Sequence, residues 1–365
     1  MADTTLATAS QIQKWDAKFF AEYVRNSGFS AYMGRSPMMP IIAKYELTDA
    51  GRVINIPLVT KLSGAGVTGS TALEGAEEAL NNYNFPISIA WKRNGVLITK
   101  DQQHWTEMDL RMAARDMLDY WASSGLRTDI IAAMKSKWET TGSTAVAYGS
   151  ATEAQKDLWL DRNADRVVFG SSLANVSTSA PAGGATRDHS ASLLNVDGTS
   201  DKLSRSVISL LKRRAKAANP GIRPIRVNDG SGREYFVAFT NSLSFRDLKL
   251  DLDSTNAAAR PRDVGTNPIF QDGDLECDGV IIREIPEMGT ISAVGASSIN
   301  VGEVFLCGAQ ALAVAWGQEP KSTTDVRDYG FRKGVGIEEA RGVQKLVFNG
   351  VDHGMVTGYV SAVGD

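Results

Sequence analysis

TEMDLRMAARDMLDYWASSGLRTDIIAAMKSKW, residues Thr106 to Trp138, is the longest helical signal in the chain and decides how the rest is read. Thr106 and Asp109 have the spacing of an N-terminal cap, which satisfies amide groups that the first turn leaves without carbonyl partners. Leu110, Ala114, Met117 and Trp121 recur at intervals of three and four, and Leu126, Ile130, Met134 and Trp138 at four, so one apolar stripe runs through the segment. Unbroken, such a helix spans about 48 Å at roughly 1.5 Å per residue. Ser123, Ser124 and Gly125 are poor helix formers at its centre and leave open two shorter helices joined by a kink. Either form is a beam of the kind that packs beneath a sheet.

Around this beam lies a globular sequence of 365 residues, enough for one large domain or two of ordinary size. A net charge of -3 with 22% charged residues argues against a strongly basic nucleic-acid binder and against an acidic disordered chain. Cys277 and Cys307 are too few for a disulfide framework and suit a reducing compartment. The N-terminus has no positive n-region or apolar h-region, and no uncharged run approaches the length of a membrane span. The chain is therefore expected to be soluble inside a cell, with no membrane partner.

Ahead of the beam, Ser10 with Gln13 forms a capping box and Gly28 is a natural stop, which predicts a helix from Ser10 to about Ser27. Ile12, Trp15, Phe19, Phe20 and Tyr23 share one of its faces, which either docks on another subunit or packs on its own domain. Phe29 to Gly51 contains Pro37 and Pro40, has little periodicity and reads as an extended arm. RVINIPLVT from Arg52 and NFPISIAWKRNGVLIT from Asn84 read as two strands of a long hairpin. Pro57 and Pro86 restrict these strands to edge positions. A free ribbon is marginal in water, so the hairpin is expected to lie on a second copy of the chain.

The hairpin tip carries Glu74, Glu77 and Glu78, and also Gly64, Gly66 and Gly69 in GAGVTG, formally a dinucleotide fingerprint. That chemistry needs a tight turn into a helix whose N-terminus faces a pyrophosphate, inside a βαβ unit. Gly75 interrupts the following segment and no acidic residue ends the next strand, so a loop tip is the better reading.

Beyond Trp138, a polar stretch from Ser171 to Thr199 reads as a mobile surface loop. A helix capped by Ser200 and running to about Ala218 would bury Leu203, Val207, Leu210 and Leu211. Lys212, Arg213, Arg214 and Lys216 near its end complement the helix dipole. IRPIRVND and REYFVAFTNS form a second hairpin, and LSFRDLKLDLD a short helix or turn. Asp274, Glu276, Asp278 and Gly279 occupy positions of a calcium loop, but Ile285 stands where the bidentate Glu belongs, so a solvated turn is expected. VGEVFLCGAQALAVAWGQ reads as a strand running into a short helix, and the last segments as closing strands.

The chain contains no nucleophile elbow, phosphate loop or H-E-x-x-H motif. His104, His189 and His353 are far apart and have no cysteine at ligand spacing, so neither a metal site, a cofactor site nor a catalytic residue is assigned.

The order of parts, together with NPIFQDGDLECDGVIIRE from Asn267, GAQALAVAWGQ from Gly308, DYGFRKGVGIEEARGVQKLVFN from Asp328 and DHGMVT from Asp352, resembles the major capsid proteins of tailed bacteriophages. It is most similar to the podophage type of an N-four-like virus. The resemblance covers nearly the whole chain and is weakest over Ser171 to Thr199. It implies an α+β fold with an N-arm over 1–50, an E-loop hairpin over 51–100 and a spine helix of the P-domain over 101–139. An A-domain over 140–260 and P-domain strands with a closing segment over 261–365 complete it. It also implies a non-catalytic subunit that self-assembles as hexamers and pentamers into an icosahedral head around double-stranded DNA. The implied partners are a portal and separate scaffolding and decoration proteins, and the implied location is the virion, built in the bacterial cytoplasm. Trp15, Phe19, Phe20, Glu74, Glu77, Glu78 and Trp91 are then the expected intersubunit contacts. The capsid family's Lys to Asn cross-link would put Lys61 in question, but no acceptor is identifiable. Two rivals stand beside this reading: an encapsulin-like nanocompartment shell, and an enzyme using Gly64, Gly66 and Gly69.

Overall fold

The computed structural model of the chain describes residues 23, 27–45, 52–59, 66–69, 74, 82–138, 145–226, 234–257 and 275–364. Helix α1 (Lys100–Trp105) opens on a capping box in which Gln102 N donates to Thr99 Oγ1 at 3.3 Å and the Gln102 side chain returns to Thr99 N. Helix α2 (Leu110–Lys135) is the beam, about 39 Å long at roughly 1.5 Å per residue. Its cap is Asp109 alone, whose Oδ1 accepts from Arg111 N and Met112 N at 3.0 and 3.3 Å. Thr106, expected to share the cap of the beam, instead terminates α1. The helix runs unbroken through Ser123, Ser124 and Gly125, with Ser123 Oγ donating back to Asp119 O and Tyr120 O. Trp138 lies beyond the helix in a short strand paired with Ala145.

The buried face of α2 is not the whole stripe that the spacing suggested. Ala114, Leu118 and Ala122 are buried in the first half, and Leu126, Ile130, Ile131, Ala133 and Met134 in the second. Met117 and Trp121 point outward instead. In its second half α2 is therefore enclosed, and in its first half it rests on small side chains.

Five strands precede α1: β1 (Met33–Gly34), β2 (Ile41–Tyr45), β3 (Val53–Val59), β4 (Asn82–Ser88) and β5 (Ala90–Thr99). After α2 come α3 (Glu153–Arg162), β6 (Val167–Phe169), α4 (His189–Leu194), α5 (Arg205–Ala217), β7 (Glu234–Thr240) and α6 (Ser242–Ala257). Strands β8 (Leu275–Cys277), β9 (Val280–Glu284), β10 (Val301–Cys307), β11 (Leu312–Arg327), β12 (Arg332–Lys345) and β13 (Met355–Ser361) follow. Among the described residues they form a five-stranded sheet, β1-β2-β11-β12-β5, and a seven-stranded one, β8-β9-β7-β10-β13-β6, with Ile225–Arg226 beside β7.

The seven-stranded sheet is covered on both sides, which explains why its strands read as continuous apolar runs. Phe236, Ala238, Val304 and Leu306 face α5 and α6 through Val207, Leu211, Phe245 and Leu248. Val237, Phe239, Phe305 and Cys307 face α2 through Leu126, Ile130 and Met134, together with Phe29 and Tyr32. Phe29 and Tyr32 meet the Phe239 ring edge-on at 5.2 and 5.5 Å. The predicted extended arm is thus partly embedded, since β2 also runs parallel to β11 from Ile41↔Leu312 to Tyr45↔Trp316.

Two further expectations change. Leu312 onward is strand and not a short helix: Leu312, Val314 and Trp316 enter one core while Ala313 and Ala315 enter another. A strand buried on both faces and rich in alanine has no alternating pattern to distinguish it. The run from Asn84 to Thr99 is not one hairpin arm either. Strand β4 pairs with β3 from Val53↔Ser88 to Val59↔Asn82, whereas β5 leaves for β12 from Ala90↔Arg341 to Thr99↔Arg332. The handover sits over Gly342, where a Cβ would come within 2.3 Å of Ser88 O, so only glycine lets the two backbones cross. The hairpin root packs on its own chain: Ile54, Ile56, Phe85 and Ile87 are buried against Ala313, Ala315 and Leu346.

The stretch from Ser171 to Thr199 is organised by buried acceptors. Asp157 takes His189 N at 2.7 Å and Ala182 N at 2.8 Å, Asp188 caps α4, and Asp201 takes Ser171 N at 2.7 Å. It folds around carboxylates as well as around Leu193 and Val196, and the polar share of that core is why its composition reads as loop. Helix α5 begins after Ser204, not Ser200, and α6 is a full helix whose start is fixed by Ser244 N donating to Asn241 Oδ1 at 2.9 Å.

Candidate assembly surfaces

Of the expected contact residues, Trp15, Phe19, Phe20, Glu77 and Glu78 lie outside the described residues. Glu74 is exposed in the connection between β3 and β4. Trp91 is exposed on β5 opposite Ala340, so it belongs to the five-stranded sheet and not to the hairpin.

One clustered group of exposed apolar side chains among the described residues was not foreseen. Trp105 of α1 (77% exposed), Met108 of the connection, and Met112, Met117, Tyr120 (72% exposed) and Trp121 of α2 all face outward. In this half of α2 the buried apolar positions are Ala114, Leu118 and Ala122, while the larger Met117, Tyr120 and Trp121 stay in solvent. Isolated exposed hydrophobes are ordinary, but a clustered face of this size marks an interaction surface. The signal in the sequence was that α2 is apolar around most of its circumference, which an ordinary surface helix is not.

A second apolar group crowns the β11–β12 ribbon, where Val326, Tyr329 and Phe331 are all exposed. Asp328 and Tyr329 take φ of 54° and 51° ahead of Gly330. Such angles are uncommon for a residue with a Cβ and marked for a bulky aromatic.

Charge is concentrated where solvent is excluded. Lys137 Nζ donates to Tyr359 Oη at 2.7 Å and lies 3.6 Å from the centre of the Trp159 ring. Burial pushes its ammonium down to about 7, partly offset by Glu303 and reinforced by Lys345. Lys345 Nζ donates to Asp352 Oδ2 at 2.9 Å and to Ser136 O at 2.7 Å, and Trp159 Nε1 reaches the same carboxylate oxygen at 3.3 Å. His189, whose ring lies 3.2 Å from Tyr359 Oη, is pushed well below the ordinary histidine range by burial and then by Lys137 and Lys156. His353 is pushed down to about 4, by burial and by Arg166 and Arg223. The cluster joins the end of α2, α3, α4, β12 and β13. Lys137, Lys345 and Trp159 are paired inside one chain and closed to solvent, while Asp352 Oδ1 and His353 Nδ1 have no hydrogen-bond partner among the described residues; the set fits a structural brace better than a catalytic site.

A second buried set ties the N-terminal segment to the beam. Arg341 donates to Tyr23 Oη and pairs with Glu339 at 2.7 Å and with Asp129 at 2.6 Å. Burial raises the Glu339 carboxyl despite its arginine partner.

Glu153, Asp157 and Asp188 could approach a metal ion, but the two buried carboxylates already accept backbone amides, which leaves little ligand capacity. The calcium-like stretch is a tight hairpin turn, with Asp278 and Gly279 at φ of 52° and 70° between β8 and β9; Asp274 lies outside the described residues. Gly66 and Gly69 are exposed and Gly64 lies outside the described residues. The strands flanking that loop, β3 and β4, are antiparallel neighbours, so the βαβ unit a dinucleotide site requires is missing there. Among the described residues no helix is long and apolar enough to cross a membrane.

Comparison with known proteins supplies what this geometry lacks. The family model described as phage capsid protein matches residues 3–363. The major capsid protein of Pseudomonas phage KPP25 is 26% identical, with 98% of each chain covered. Among solved structures, the capsid asymmetric unit of cyanophage Pam1 is 41% identical over the whole of both chains, with a TM-score of 0.80. The capsid of Ralstonia phage GP4 shares the fold at a TM-score of 0.68 and 23% identity, covering 91% of this chain and 90% of that one.

Proposed function

The chain belongs to the phage capsid protein family, and from that premise we propose that copies of it assemble as hexamers and pentamers into an icosahedral head around double-stranded DNA. It is a major capsid protein of the tailed-phage fold, and as such a structural component of the virion. The observation that carries the reading is likeness over the full length: the family match spans residues 3–363, and a capsid subunit is 41% identical from end to end. Neither the nanocompartment nor the dinucleotide enzyme is favoured by these relatives. The geometry agrees, because Trp105, Met112, Met117, Tyr120 and Tyr329 face outward, as suits a subunit stabilised by its neighbours.

On this reading the subunit performs no catalysis and is assembled in the host cytoplasm, with a portal and separate scaffolding and decoration proteins as partners. The N-arm covers 1–50, the E-loop 51–100, the spine helix 101–139, the A-domain 140–260 and the remaining P-domain with its closing segment 261–365. A net charge of -3 suits a container that encloses DNA without gripping each phosphate. Trp15, Phe19 and Phe20, the acidic group Glu74, Glu77 and Glu78, and Trp91 contact neighbouring subunits. Many modest contacts of this kind add up within one closed shell.

Electron microscopy of the purified chain, with light scattering on the same sample, tests the assembly. Rings, tubes or closed shells of megadalton mass are expected, in the presence of a scaffolding protein where one is needed. A small species that binds a dinucleotide would overturn the reading. Replacing Glu74, Glu77 and Glu78 together by Lys should abolish shells while leaving a folded subunit; normal shells would remove the loop from the interface.

A further inference from the structure

The ribbon tip and the start of the beam lie at one end of the five-stranded sheet, tied together where Lys100 N donates to Phe331 O at 2.9 Å. Beside the tip, β5, α1 and α2 enclose an open hollow of about 580 Å³ lined by Val96, Leu97, Ile98, Trp105, Leu110 and Met117. The hollow is shallow and mostly apolar, with Gln102 and Thr106 at its polar part, and the exposed side chains Val326, Tyr329 and Phe331 at the tip are large and apolar or aromatic. The tip does not fill its own hollow, since Tyr329 is 108% exposed and touches nothing in its own chain.

We propose that Tyr329 of one copy seats in this hollow on a neighbouring copy, making a head-to-tail contact between adjacent subunits. The inference rests on the capsid reading and adds to it the pair of surfaces that meet. Two observations select a second copy as the occupant, and the charges allow it. The tip holds a tyrosine in a left-handed conformation that asparagine or glycine adopts more readily, so the turn presents a ring at a cost in local strain. Both features carry mixed charge, Asp325, Arg327 and Asp328 at the tip and Lys100, Asp101, Asp109 and Arg111 near the hollow, so neither repels a second copy by net sign. The knob and the socket are different patches of one rigid end, so a contact between copies repeats around an axis without further parts. A scaffolding helix lying in the hollow is the competing occupant, and the test separates the two.

The experiment compares heads formed by the unaltered chain, by Tyr329→Ala and by Tyr329→Phe, each with the other head proteins supplied. It also uses a Val326→Cys/Ala113→Cys chain, which keeps the ring, treated with a short bifunctional maleimide; Cys277 and Cys307 are buried and contribute little background. Tyr329→Ala should lower head yield at least tenfold with an unchanged melting temperature of the free subunit, and Tyr329→Phe should restore it. The doubly substituted chain should give a ladder of cross-linked multimers, and a mixture of the two singly substituted chains should give dimers only. Normal heads from Tyr329→Ala would overturn the proposal. So would assembled heads from the doubly substituted chain without cross-links, which would leave the hollow to another occupant. Absence of heads from the unaltered chain would count against the capsid reading itself and is distinguishable from both.

Discussion

The two ends of α2 solve opposite problems. At its C-terminal end the chain buries Lys137, Lys345 and Asp352 in a region with almost no solvent access. At its N-terminal end it leaves Trp105, Met112, Met117, Tyr120 and Trp121 in the open. A monomer selected for stability alone would distribute these groups the other way. The difference indicates that the C-terminal end is completed within one subunit, and that the N-terminal end is completed by something else.

Breaking the buried brace should have the largest effect. Lys345→Met leaves Asp352 without its ammonium partner, and removing one member of a buried pair costs about 3 to 5 kcal/mol. Denaturant unfolding of the free subunit should show that loss, and Lys345→Met combined with Asp352→Leu should recover much of it. A single-variant cost below about 1 kcal/mol would mean that water reaches the pair.

The same helix offers a paired test at the next magnitude. Leu126→Ala empties a fully buried site and should cost about 2 to 5 kcal/mol. Met117→Ala, nine residues earlier, should stay within about 0.5 kcal/mol in the free subunit and yet reduce head formation. Equal effects on folding would erase the contrast between the two ends.

Acid should act on the buried end first. His353 has a pKa of about 4 in the folded chain against about 6.5 when unfolded, so the unfolded state binds the extra proton between those values. Stability contributed by the neutral ring is present above about pH 6.5 and lost as pH falls toward 4, amounting to a few kcal/mol at most. Lys137 acts in the same direction over a higher window, from about 7 to about 10.5, where stability should climb with pH. His353→Gln should flatten the acidic limb of a stability profile measured by denaturation. The smallest effect is expected at Trp91→Ala: within about 0.5 kcal/mol on folding, so that any defect would appear only in shells.

Much of the fold was legible because its elements announce themselves locally. The beam, α5, the β3–β4 pairing and the closing strands follow from periodicity, caps and prolines. What was not legible depended on partners distant in sequence. Leu312 to Trp316 reads as helix until two cores are known to claim its two faces. Ser171 to Thr199 reads as loop because Asp157, Asp188 and Asp201 organise it alongside only a few apolar anchors such as Leu193 and Val196. Of the proposed contact residues Trp91 is exposed, whereas Met117 and Trp121, read as one stripe with Leu110 and Ala114, face solvent, since spacing says which side chains align and not which way the stripe turns. Tyr329 carried no sequence signal beyond a turn.

The handover at Ser88 has a mechanical consequence. Because the chain passes directly from the hairpin into β5, a pull on the hairpin is delivered along the axis of a strand registered with β12 from Ala90↔Arg341 to Thr99↔Arg332. In that direction the rungs of the ladder are loaded together, as in a lap joint, and no single rung opens ahead of the rest. A force that peeled β5 sideways would meet them one at a time. The subunit is therefore stiff toward tension in the plane of its sheet and soft toward lifting out of it.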